Sequence, residues 1–454
     1  MALPATLAMG VNALYNVVDT AFIGRGVDPL AIGGLSIAFP MQIVVLAIGL
    51  MVGIGSASIV SRSLGAGDEE KAARTVANGF LVGIVTVALV TVAARIFVDP
   101  LLRALGATEN LIGYSREYLV TVLPGGVFIA IAIGSNHVVR SEGRATFSMG
   151  IMLTGALLNI LLDWIFIFPL GMGIRGAALA TVIAQFASFC VAMYFYASKT
   201  SSLTIRARHF RLDRTVLREM LSLGAPSFVR QFAASFFIII TNNMLSTYGG
   251  DLSIAAFGVI HKILIFGLMP LIGIAQGFQP IAGFNYGAGN MARVRAAVKT
   301  TFGVSIVAAS AIFAAIMLFP EAVFRIFTAD AELTAIGSEI GRIVLLALPL
   351  IALQVTGAVF FQAVGKAVPA LILSLSRQVI FLIPLMLLLP RFLGITGVWT
   401  AFPAADVLAV AVTLLWMRHA MKQLRIVECE SDPQAEGCAD TADQAVAAEK
   451  PARA

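Results

Sequence analysis

Six charged side chains lie inside long apolar runs of this chain. The acids are Asp19, Asp163 and Asp406; the bases are Arg230, Lys262 and Arg377. A charge at the centre of a bilayer costs roughly 2.5–3.5 kcal/mol on insertion scales, so such groups face a cavity or a partner. Asp19 sits in Tyr15-Asn16-Val17-Val18-Asp19-Thr20, where Asn16 and Asp19 share one helix face. Asp163 sits in Asn159-Ile160-Leu161-Leu162-Asp163, where Asn159 and Asp163 are one turn apart. Thr181 falls in the next run, an Ala-rich helix able to approach closely. Two carboxylates with amide and hydroxyl oxygens suit a hard monovalent cation, or the holding of a proton. The competing reading is helix-to-helix hydrogen bonding, which serves Asn16, Asn159 and Thr181 at least as well. It serves the aspartates poorly, because an ionised side chain is an expensive tie.

Arg230, Lys262 and Arg377 are suited to neutralising acids, lining a wet cavity or binding an anionic group. A structural ion pair with Asp406 is an equally good reading. Gln231, Asn242, Asn243, Gln276, Gln279 and Gln378 add polarity to the same half. His137 and His261 read as satisfied polar contacts rather than proton carriers. Sixteen Met and thirty Phe supply adaptable apolar walls, most of them facing lipid or packing partners. Pro226, Pro270, Pro349 and Pro384 are positioned to bend or break helices. No His-Glu-x-x-His, metal-spaced Cys/His cluster, Gly-x-x-x-x-Gly-Lys-Ser/Thr loop or Gly-x-Ser-x-Gly occurs, so the sequence points away from an enzyme and from ATP-driven transport by this chain alone.

The elements that must position these groups follow from composition. Of 454 residues, 59% are hydrophobic and 12% charged, against about 45–50% and about 25% for soluble domains. That excludes a soluble enzyme, a coiled coil and a disordered chain, and disfavours a transmembrane barrel. The expected class is an all-α integral membrane protein. Twelve spans are expected near 3–24, 31–57, 76–97, 118–139, 147–168, 174–197, 219–247, 253–280, 299–320, 342–362, 368–390 and 395–417. The first run has no Lys or Arg before Arg25, so it reads as a retained helix rather than a cleaved signal. The acidic, Ala-rich tail has no apolar face and reads as disordered. Cys190 reads as packing; Cys429 and Cys438 can pair or stay reduced, and reduced is the better reading if the tail is cytoplasmic.

With the N-terminus inside, inside segments hold 18 Lys and Arg and outside loops 8. The densest is 199–218, between spans six and seven. The asymmetry predicts both termini in the cytoplasm and explains the basic pI of 9.4 without nucleic acid. An internal repeat of 222 residues superposes Gly65-Ala66-Gly67-Asp68 on Gly287-Ala288-Gly289-Asn290 and Arg103 on Arg325. It also superposes Gly143-Arg144-Ala145 on Gly365-Lys366-Ala367. A shift of 221 superposes Gly173-Ile174 on Gly394-Ile395. Six spans per half give parallel repeats about an axis along the membrane normal, with sites expected near the midplane. The expected organisation is an N-lobe 1–198, a linker 199–218, a C-lobe 219–418 and a tail 419–454.

The chain resembles the multidrug and toxic compound extrusion (MATE) transporters, and most the DinF-like branch. The likeness rests on Tyr15-Asn-Val-Val-Asp19-Thr-Ala-Phe-Ile-Gly24, on Gln276-Gly-Phe-Gln279-Pro280-Ile-Ala-Gly-Phe-Asn285-Tyr-Gly287-Ala-Gly289 and on the six-plus-six layout. It covers nearly all of the chain up to the tail. It implies an N-lobe cation site, at Asp19, Asn159, Asp163 and Thr181, which becomes a metal site if the ion is Na⁺. It implies a secondary antiporter in a bacterial or archaeal plasma membrane, exporting amphipathic, often cationic compounds against Na⁺ or H⁺. No other cofactor and a monomer are expected. Tyr15, Asn16, Arg230, Gln231, Lys262, Gln276, Gln279, Arg377 and Asp406 are candidates for the cavity. The chain departs from the family in starting almost inside its first helix, in its acidic tail and in lacking the acidic C-lobe site of another branch. A lipid-linked precursor flippase of the same superfamily is the alternative, and a membrane-embedded transferase a more distant one.

Overall fold

The computed structural model describes residues 2–11, 18, 22, 27, 29–198, 200–328 and 330–431. Among them every regular element is helical. The first half contains α1 (Ala2–Val11), α2 (Pro29–Gly65), α3 (Glu69–Ile96), α4 (Val98–Ala104), α5 (Ile112–Val122), α6 (Gly126–Ser141), α7 (Ala145–Ile167) and α8 (Gly173–Ala197). The second contains α9 (Arg214–Tyr248), α10 (Gly250–Gly287), α11 (Met291–Leu318), α12 (Pro320–Arg325), α13 (Ala331–Val344) and α14 (Leu348–Ala363). It ends with α15 (Ala367–Leu375), a π-helical segment Ser376–Leu382, α16 (Ile383–Leu388), α17 (Pro390–Leu393) and α18 (Ile395–Ser431).

Ten helices among the described residues are long and apolar enough to cross a membrane, and α13 with α14 forms an eleventh, broken by 51°. Half of the expected first span, Asp19 included, falls outside the described residues. Several boundaries differ from the sequence expectation: α2 and α10 run on to Gly65 and Gly287, α3 and α11 begin at Glu69 and Met291, and two larger differences fall in the second half. The run at 342–362 is not one straight helix. It breaks after Val344, and Pro349 sits in the first turn of α14, where a missing N–H is tolerated. The last helix runs past 417 to Ser431 because Met417, Ala420 and Leu424 keep one apolar stripe buried. Arg295 pairs with Glu428, and Lys366 donates to Gln423 at 2.9 Å, fixing this extension. Cys190 is exposed on α8 rather than packed as expected, and Cys429 is disulfide-bonded, one of the two states the sequence left open.

The repeat is visible in the backbone. Gly67 and Gly289 carry φ of +76° and +72°, ending α2 and α10 in the left-handed region that glycine tolerates. Asp68 and Asn290 then cap the next helices, accepting from the Lys71 and Arg293 amides. Arg103 and Arg325 end the equivalent short helices α4 and α12.

The packing divides into two lobes. One large core draws only on the second half, around Phe237, Phe257, Phe324 and Phe402. Another draws only on the first half, around Leu102, Tyr118, Leu119 and Ile174. A smaller cluster of Val52, Ile59, Met220 and Leu223 joins α2 to α9 between them.

Candidate functional site

On α7 the i, i+4 spacing places Asn159 and Asp163 on a buried face. Asp163 is 0% exposed. The Asn159 amide Nδ2 lies 3.4 Å from Thr181 Oγ1 on α8, and that hydroxyl donates to the Ala177 carbonyl at 3.0 Å. The Asn159 Oδ1 is buried with no hydrogen-bond partner among the described residues. A desolvated carbonyl oxygen left open beside a carboxylate fits a cation and is costly without one. Gln185, one turn beyond Thr181, also holds a buried Oε1 with no hydrogen-bond partner among the described residues. Asp19, Tyr15 and Asn16 lie outside the described residues.

In the second half the structure joins Arg377 and Asp406, whose Nε and Oδ1 are 2.5 Å apart. The other predicted groups do not converge on them. Arg230 and Lys262 are exposed and form no ion pair among the described residues, and Gln231 is half-buried. Among the described residues, Gln279 is buried with its Nε2 unpartnered. His261 was expected to be a satisfied contact, yet its Nδ1 is buried without a partner among the described residues.

Gln276 meets a group that the sequence reading placed in a loop. Arg140, near the end of α6, is buried and donates to Gln276 on α10 and to Asn136 one turn back. No carboxylate pairs with this guanidinium among the described residues. Arg140 and Arg230 also bear electrostatically on the buried His137. Gln362 is the repeat equivalent of Arg140, and it too bridges the halves. Its carbonyl accepts from Ser58 on α2. The available signal was the helical spacing Asn136–Arg140 and the 222-residue offset.

Near these contacts the lobes touch backbone to backbone. A Cβ built on Gly55 would lie 2.1 Å from the Met220 carbonyl oxygen, and one on Gly224 would lie 1.9 Å from that of Met51. Arg62 and Lys71 both pair with Glu219, at 2.8 and 3.3 Å. The 199–218 segment is pinned to α3: Arg208 pairs with Glu70 at 2.7 Å, and Arg74 with Asp213 at 3.2 Å. Asn78 donates to the His209 and Arg211 carbonyls and accepts from the Asp213 amide. Hydrogen bonds from the Val216 amide, Arg74 and the Thr215 amide hold the Asp213 carboxyl below its ordinary range. Burial pushes Glu142 up, against bonds from Ser201 and Ser202 and the charge of Arg144. The arrangement can therefore close one end of the molecule between the lobes and hold a cation within the first.

Comparison with known proteins identifies the family and the fold. The MatE family model matches twice, at residues 4–165 and 226–388, and the two matches begin 222 residues apart. The multidrug export protein MepA of Staphylococcus haemolyticus is 25% identical over 412 residues, covering 90% of each chain. The outward-facing structure of a multidrug resistance MATE family transporter of the MOP superfamily superposes with TM-score 0.88 at 27% identity. That match covers 94% of this chain and 95% of the other. The MATE multidrug transporter DinF-BH, solved as a complex, gives TM-score 0.84 at 41% identity, over 92% and 94% of the two chains.

Proposed function

The chain belongs to the MatE family, and from that premise we propose that it is a secondary active multidrug exporter of the plasma membrane. Its substrates are amphipathic, often cationic organic compounds, exchanged for Na⁺ or H⁺ by alternating access. The observation that carries the ion-coupled reading is the Asn159–Thr181 contact beside the buried Asp163. Asp19 completes this cation site in the proposal. The coupling ion enters as cargo, held by carboxylate, amide and hydroxyl oxygens, the donor set a hard cation takes. Cation binding disfavours substrate, and release to the cytoplasm resets the protein. Only a difference in affinity between the two states drives that exchange.

The lobes are assigned to 1–198 and 219–418, with 199–218 as cytoplasmic linker, 419–454 as cytoplasmic tail and a monomer as the working unit. The close approach of Gly65 to the Phe284 carbonyl and of Gly287 to that of Arg62, with the pinned linker, would then close the cytoplasmic end, which is an outward-facing arrangement. The test is efflux from proteoliposomes under separately imposed Na⁺ and pH gradients. One gradient should drive export, and Asp19→Asn should abolish it while leaving insertion intact. Wild-type transport by a correctly inserted Asp19→Asn protein sinks the site assignment. Turnover of a labelled lipid-linked sugar without drug export would replace this reading with the flippase one.

A further inference from the structure

The repeat allows the two lobes to be compared position by position. At the 222-residue offset, Asn159 and Asp163 of α7 correspond to Phe381 and Leu385. At the 221-residue offset that applies to the final span of each half, Thr181 and Gln185 correspond to Phe402 and Asp406. Three of the four polar positions of the first lobe are therefore apolar in the second. The fourth carries a carboxylate.

That carboxylate already has a cation. Asp406 is 2% exposed, and its Oδ1 is 2.5 Å from Arg377 Nε. Arg377 stands where the first lobe has Gly155. It lies in the π-helical segment Ser376–Leu382, whereas α7 is α-helical throughout Ala145–Ile167. π-Helical turns inside α-helices are rare and concentrate at functional sites. Asp406 Oδ2 is buried with no hydrogen-bond partner among the described residues. Phe402, one turn before Asp406, packs on Phe237 and Phe257 with ring centroids 6.0 Å away in each case, so the surroundings are apolar. Among the described residues, Arg377 is the ionised group that touches Asp406. His261 on α10 is the titratable neighbour that the Arg377 charge reaches.

We propose that the Arg377 guanidinium is a tethered cation on Asp406, so that the second lobe is a self-satisfied counterpart of the first lobe's ion site and exchanges no ion during transport. This rests on the ion-coupled reading of the first lobe. Coupling then resides in one lobe, and the other moves as a body of fixed charge. Removing the tether should leave a desolvated carboxylate with two open oxygens, which a small cation or a proton can satisfy.

The experiment is thermal unfolding of the purified full-length protein in detergent, with the first-lobe site disabled by Asp163→Asn. Sodium chloride is titrated against choline chloride at fixed ionic strength, and pH is varied separately. Asp163→Asn alone should not respond to Na⁺, and its pH dependence is the baseline set by carboxylates elsewhere, such as Asp213 and Glu142. Adding Arg377→Gln should create a rise in Tm of about 2–4 °C with Na⁺, or over that baseline on acidification. Adding Asp406→Asn as well should abolish it, and Arg377→Lys should behave as the parent. A flat response in Arg377→Gln, or one that survives Asp406→Asn, overturns the proposal. If Arg377→Gln does not accumulate in the membrane, recovery on adding Asp406→Asn supports the tether and failure to recover overturns it. The readout needs no transport, so a failure of drug efflux in liposomes bears on the export reading and leaves this result separate.

Discussion

Gly65 and Gly287, equivalent in the repeat, face each other's helices across the contact between the lobes. A Cβ on Gly65 would lie 1.9 Å from the Phe284 carbonyl oxygen, and one on Gly287 would lie 2.0 Å from that of Arg62. Phe284 and Arg62 are themselves 222 residues apart, so the contact is symmetric about the axis relating the halves. Side chains no larger than hydrogen are what let α2 and α10 meet.

Gly65→Ala or Gly287→Ala should therefore part the lobes at this end, with an overpacking cost of about 1–3 kcal/mol. Ser58, fully buried at the interface, reports on this as Ser58→Cys in a background without other cysteines. Its alkylation should accelerate in both glycine variants. Gly67→Ala is the control. It meets open space, and its cost is confined to the positive φ, about 1–2 kcal/mol. Equal labelling in all three would show that the close approach does not hold the lobes together.

Arg140→Met removes a buried donor and leaves the Gln276 and Asn136 carbonyl oxygens unmatched. The expected loss is about 1–3 kcal/mol. A double-mutant cycle with Gln276→Leu, read by unfolding in detergent, should give a coupling of about 0.5–3 kcal/mol. Additive losses would mean that the contact across the lobes contributes nothing.

Thr181→Val removes the hydroxyl that faces the Asn159 amide while keeping side-chain size. On the proposed ion site, half-maximal efflux should require about tenfold more coupling ion, equivalent to about 1.4 kcal/mol. Thr181→Ser should restore the wild-type dependence. An unchanged ion dependence in the Val variant would remove Thr181 from the site.

Two carboxylates outside the spans should give opposite pH signatures. The Asp213 carboxyl is held low, so its contribution is present above the ordinary carboxylate range near about 4 and is lost as pH falls through the folded value. Asp213→Asn should lower Tm at neutral pH and converge on wild type in acid. The Glu142 carboxyl is pushed up, so its contribution is complete below that range and is lost as pH rises through the folded value. Glu142→Gln should flatten that loss and gain on wild type toward neutral pH. Parallel curves for either variant would contradict the assigned environment.

The sequence by itself determined the apolar runs, the glycine turns, the 222-residue repeat and the shared face of Asn159 and Asp163. Each is a local pattern, fixed by helical spacing and by the backbone freedom of Gly67 and Gly289. It left open whether Arg377 pairs with Asp406, and it placed Arg140 in a loop although that side chain is buried between the lobes. It also ran α13 and α14 together and stopped α18 short. Only the tertiary structure decided these, together with the meeting of Asn159 and Thr181 and of Glu219 with Arg62 and Lys71. The reason is physical. In hydrocarbon a lipid-facing side chain and a packed one are equally apolar, so hydropathy gives the length of a span but not which face meets which neighbour. Partners from different spans become known only once the helices are packed.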